Sequence, residues 1–135
     1  MLGLLKGIVE EKNIEKLIQG IEGGTCPAVL SGVSGIHQAC VAAAVRRYGG
    51  KNVLLICADD MEARRFAGDL ETLTQETAQV VTSREFTFYN AEGVSRQTEH
   101  ERIRCLWRLA SGRAPVTVAT ADGLMERTIS PKCLE

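Results

Sequence analysis

The chain has 135 residues, 44% hydrophobic and 4% aromatic, and its 16 basic and 17 acidic side chains leave a net charge of −1. That length suffices for one domain with a real core, and the apolar fraction excludes a disordered tail. The charge balance gives no bulk electrostatic case for nucleic acid or an anionic membrane.

The five cysteines, Cys26, Cys40, Cys57, Cys105 and Cys133, form no C-x-x-C pair. Most sit in apolar runs, where a thiol behaves as a small hydrophobe, so a reducing compartment is expected. No apolar run approaches transmembrane length. The start, Met1-Leu-Gly-Leu-Leu-Lys6, puts its lysine after the apolar residues, unlike a signal peptide. The expectation is a cytoplasmic protein with no membrane partner.

In chain order, Leu5, Ile8, Val9, Ile14, Leu17, Ile18 and Ile21 recur at intervals of three and four. They predict two short amphipathic helices, with Asn13 available as a cap. Residues 1–24 thus form a helical segment ahead of an α/β domain spanning 25–135. After the turn Gly23-Gly24-Thr25-Cys26-Pro27, residues 28–31 read as a first strand. Gly32 and Gly35 form a loop, and an alanine-rich helix runs from Ile36 to Tyr48. Gly49-Gly50 ends that helix.

Asn52 to Cys57 is a continuous apolar run of strand length, which predicts burial on both faces, as in a parallel sheet. Asp59 and Glu62 are spaced as a capping box, followed by the stripe Ala63, Phe66, Ala67, Leu70 and Leu73. Gln79 to Thr82 is a weaker strand, and Ser83 to Ser95, with Phe86, Phe88 and Tyr89, is irregular. From Gln97 a further helix is expected, boxed by Thr98 and Glu101, striped by Ile103, Leu106, Trp107 and Ala110, and stopped by Gly112. Ala114 to Thr120 is a fourth strand, and Asp122 to Arg127 begins a last helix. Alternating strands and helices predict a three-layer, P-loop-like (Rossmann-like) α/β fold with a mostly parallel sheet of about four strands. The abrupt stop after Pro131 suggests an excised segment of a longer protein, with Leu134-Glu135 as a cloning scar.

The glycine loop organises the functional reading. A working P-loop cradles phosphate with loop amides, reaches the terminal phosphates with lysine and binds magnesium through Ser or Thr. Here Gly32, Ser34 and Gly35 are in place, but His37, Gln38 and Ala39 stand where Gly, Lys and Ser/Thr are needed. Asp59, Asp60 and Asp122 follow strands, yet each is placed to cap a helix rather than organise magnesium. Neither histidine, His37 or His100, has metal-ligand or triad spacing, although His37 could plug the vacant phosphate pocket. Arginines at 46–47, 64–65, 96, 102, 104, 108 and 113 read as solvated helix faces. Arg104 and Arg108, one turn apart, are candidate contacts for nucleic acid or protein. No catalytic residue, cofactor site or metal site is expected.

Several stretches, in order along nearly the whole chain, resemble the N-terminus of bacterial transcription-repair coupling factor (Mfd). They are Gly3-Leu-Leu-Lys6, Pro27 to Gly35, Phe88-Tyr-Asn-Ala-Glu92, Glu101-Arg-Ile with Leu106 to Gly112, and Val116-Thr-Val-Ala-Thr120. That region of the family is similar to UvrB, the damage-recognition component of the nucleotide excision repair nuclease, and in coupling factors its P-loop is characteristically degenerate. The resemblance implies a scaffold in a protein that releases stalled RNA polymerase from DNA and recruits excision repair through UvrA, another component of that excinuclease. ATP and magnesium would serve a separate motor in the remainder of the coupling factor. Rival readings are a working ATP-binding helicase subdomain and an autonomous nucleic-acid-binding module.

Overall fold

The computed structural model describes residues 7, 12–25, 27–83 and 96–133. Helix α1 (Lys12–Glu22) leads to α2 (Ile36–Gly49), β1 (Val53–Cys57), α3 (Asp60–Thr74), β2 (Ala78–Val81), α4 (Arg96–Ala110), β3 (Val116–Thr120) and α5 (Ala121–Met125). A 3₁₀ turn, Pro131–Cys133, follows. Among the described residues the three strands form one parallel sheet in the order β1-β3-β2, with Val53 and Ala78 both opposite Val116. The chain is thus a mixed α/β structure around a small parallel sheet. Parallel neighbours require helical crossovers, which α3 and α4 supply.

The core lies between this sheet and helices α2 and α3. Ala39, Cys40 and Ala43 of α2 meet Ala63, Phe66, Ala67, Leu70 and Leu73 of α3 over Cys57, Val116 and Val118. Small side chains on α2 let it approach closely, while Phe66 and Leu70 supply volume. Burying a side chain of that size fully contributes about 1.5–3 kcal/mol. The stripe expected on α3 is the one that is buried.

Its N-cap also forms, with the Glu62 side chain reaching one residue past the cap. The Asp59 carboxylate accepts from Glu62 N at 2.8 Å, and Glu62 Oε2 accepts from Ala58 N at 3.2 Å. Helix α2 ends on Gly50 with φ 62°, and α3 ends on Gln75, a non-glycine residue at φ 62°. Helix α1 packs on α2, with Ile14 buried.

Several expectations are corrected. Residues 28–31 are not in a strand, and among the described residues the sheet has three strands. An extended apolar segment becomes a strand only when a ladder partner accepts its backbone, and Val29 is 93% exposed. β1 is not buried on both faces: Leu55 and Cys57 point to the core, while Leu54 and Ile56 are 53% and 58% exposed. The reason is position. On that second face helix α4 packs on β2, the other edge strand, whose Gln79 and Val81 are buried, and leaves Leu54 and Ile56 of β1 partly uncovered, whereas central β3 is buried along its whole length.

Asn13 lies inside α1 rather than capping it, and α4 is already helical at Arg96, ahead of Thr98. The α5 cap is Thr120, whose Oγ1 accepts from Gly123 N at 3.1 Å, so Asp122 sits inside the first turn. The inward side of α4 carries Arg102, Cys105 and Leu106, so of the predicted stripe only Leu106 turns inward. Ile103 and Trp107 are 45% and 40% exposed, and Ala110 is also exposed. The irregular segment with Phe86, Phe88 and Tyr89 lies largely outside the described residues, as does most of the first expected helix.

Candidate functional site

The glycine loop opens directly into α2. Gly32 and Gly35 have φ of 78° and 51°, backbone values that L side chains resist, so the two glycines are needed for the turn itself. The amides of His37 and Gln38 donate to the carbonyls of Ser34 and Gly35, both at 3.1 Å. These are two of the N–H groups that a phosphate-binding helix terminus would direct at its ligand. Here they are spent inside the turn.

The side chains follow the same logic. Ser34, His37 and Gln38 are exposed, and the Gln38 amide reaches back to the Val33 carbonyl at 3.4 Å. His37 therefore projects to solvent and plugs no pocket. Ala39, where a P-loop places its magnesium-binding hydroxyl, is fully buried in the core and has no oxygen to offer. Of the acidic candidates, Asp59 is held by its cap bond, Asp60 lies in the first turn of α3, and Asp122 is exposed at the start of α5. No group of three or more His, Cys, Asp or Glu is arranged to hold a metal among the described residues. Burial pushes the thiols of Cys40, Cys57 and Cys105 upward, away from the thiolate form a nucleophile or metal ligand needs.

The arginines divide into two populations that sequence spacing did not separate. Arg102 is buried. It donates from Nη1 to Thr82 O at 3.0 Å and from Nη2 to Gly123 O at 2.8 Å, and its Nε lies 3.6 Å from Glu126 Oε2. One guanidinium thus ties the end of β2 to α5. Arg46 makes a bidentate pair with Glu76 at 2.6 and 2.7 Å, linking α2 to the turn before β2. That pair holds the Glu76 carboxyl below its ordinary range and the Arg46 guanidinium above its own.

Arg104 and Arg108, by contrast, face outward. They share a shallow depression with His100, Ile103, Trp107 and Cys133. The Arg113 guanidinium sits over the Trp107 ring, 5.2 Å from its centroid. On the opposite side of α4 an apolar recess of about 220 Å³ opens between α4, α5 and β1, lined by Leu54, Leu106, Leu109 and Leu124 with Thr117 beneath.

Sequence reasoning named Arg104 and Arg108 but missed Trp107 and Ile103 as surface residues, because their spacing matched a buried stripe. It also placed Arg102 in solvent. The available signal was that positions 102, 105, 106 and 109 share the same helical spacing, with an arginine at the head of the row. No helix among the described residues is long and apolar enough to cross a membrane. No protein-family model, curated protein or solved structure matches this chain.

Proposed function

We propose that the chain is a non-catalytic scaffold, the first part of the UvrB-like module of a transcription-repair coupling factor. The observation that carries the reading is the α2 entry. It has two glycines at positive φ, spends the His37 and Gln38 amides on Ser34 and Gly35, and offers Gln38 and buried Ala39 in place of lysine and hydroxyl. An ATP-using loop has the opposite arrangement.

In this reading, the complete module has a P-loop-like, three-layer architecture, and residues 28–31 supply a further strand of its sheet. The open edge of β1, the exposed Leu54 and Ile56 beside it, and the solvent-facing Val29 support that placement. The partners are the remainder of the coupling factor, with its ATP- and magnesium-dependent motor, and through it RNA polymerase, DNA and the excinuclease component UvrA.

The test uses the complete protein in a stalled-polymerase release assay. Gln38→Glu places a negative charge at the lysine position of the vestigial loop on an exposed side chain. It is expected to leave ATP hydrolysis and polymerase release unchanged, whereas replacing the lysine of the distal motor's P-loop abolishes both. Loss of hydrolysis with Gln38→Glu would overturn the scaffold reading in favour of a working nucleotide site here.

A further inference from the structure

Helix α4 is amphipathic twice over. Its inward row is buried Arg102 with half-buried Cys105 and Leu106. A second row, His100, Ile103, Arg104, Trp107 and Arg108, follows the same spacing of three and four on the outside, where a helix is ordinarily polar. This outer row holds the only tryptophan of the chain. Ile103 and Trp107 stand one turn apart, and Arg104 and Arg108 run beside them, also one turn apart. Among the described residues, the depression these side chains form has no carboxylate in its lining. Glu101, the nearest acid in sequence to Arg104, instead lines a separate polar hollow with Arg64 and Ser83.

We infer that this outer face of α4 docks an acidic amphipathic helix of a partner protein. Two apolar side chains of that helix, one turn apart, would pack on Ile103 and Trp107. A neighbouring row of Asp or Glu would meet Arg104 and Arg108. Charge complementarity selects the acidic partner, and the paired apolar centre selects a protein over a phosphate backbone. Trp and Arg are the residues that dominate binding energy at protein interfaces.

Nucleic acid fits less well for a geometric reason. A base would stack on the Trp107 ring, but the Arg113 guanidinium already lies over it. The chain as a whole is also slightly acidic. The inference stands independently of the coupling-factor reading, since it uses only the surface of α4.

Trp107, as the sole tryptophan, reports directly on the site. The whole chain is titrated with three probes while its emission is recorded. The first is a 16-residue helical peptide with leucines one turn apart and a parallel row of glutamates. The second is the same peptide with lysine for glutamate, and the third is a 16-nucleotide oligothymidine. The acidic peptide is expected to shift the emission to the blue with half-saturation on the order of 100 µM, and the other two leave it in place.

Arg104→Glu combined with Arg108→Glu weakens the acidic peptide by about tenfold or more. Ile103→Ser weakens it without touching a charge, and far-UV circular dichroism checks that both variants stay folded. No blue shift at millimolar acidic peptide overturns the inference. So does an equal response to oligothymidine, or affinity that the double arginine reversal leaves unchanged.

Discussion

Arg102→Met removes a guanidinium from a place where its neighbours cannot all find water. The fork is buried and serves two backbone carbonyls, Thr82 O and Gly123 O, while Nε faces Glu126, whose side chain is 19% exposed. A hydrogen bond to a charged group contributes about 1.5–3 kcal/mol, and breaking a buried pair by removing one partner costs about 3–5 kcal/mol. Methionine refills the space of the arginine stem, and the recess beside Arg102 lets water reach part of the site. The expected loss is therefore near the lower end, about 3 kcal/mol.

Urea unfolding followed by circular dichroism and Trp107 emission would show this as a midpoint lowered by about 1–2 M. Adding Glu126→Gln to Arg102→Met restores part of the loss, because the remaining partner then carries no charge. A change below about 0.5 kcal/mol for Arg102→Met would refute the view that this side chain ties β2 to α5.

Further outcomes follow from the packing. At Gly123 an added Cβ would meet Val81 O and Thr82 C at 2.8 Å, both backbone atoms, so Gly123→Ala should destabilise by about 1–3 kcal/mol in thermal unfolding. The folded state holds Glu76 ionised more tightly than the unfolded chain does. Its stabilisation is therefore complete above the unfolded carboxylate value of about 4.3 and fades as pH falls through the lower folded value. A stability profile across that acidic window should be steeper for the native chain than for Glu76→Gln. Ile56→Lys should change stability by less than about 1 kcal/mol, because the side chain is 58% exposed. It should also reduce self-association in sedimentation experiments, since a charge blunts an open strand edge.

What the sequence made legible was local. The α3 cap and stripe, the turn at Gly50 and the parallel arrangement all rest on residues within a few positions of one another, and the structure describes them as expected or close to it. What it hid was set by distant neighbours. β1 and β3 are similar apolar runs, and only distant neighbours, the pairing that makes β3 central and the helix that covers β2 rather than β1, leave Leu54 and Ile56 in solvent. Residues 28–31 have the composition of a strand and no partner to form one with.

On α4, two rows share the same periodicity. The row with the tryptophan looks like core, yet Arg102, on the other row, is the residue that is buried. A hydrophobicity pattern has no means of knowing that Thr82 and Gly123 present carbonyls for a guanidinium to bridge. The candidate loop was legible in its residue types. The inward turn of its amides toward Ser34 and Gly35 is a three-dimensional fact that strengthens what the missing lysine suggested.

Calorimetric titration of the intact chain with ATP and magnesium tests the scaffold claim most directly. The inward amides, exposed Gln38 and buried Ala39 predict no saturable heat up to millimolar nucleotide, and the same flat trace for Gln38→Glu. A micromolar dissociation constant that Gln38→Glu abolishes would contradict the account and make the loop a working nucleotide site.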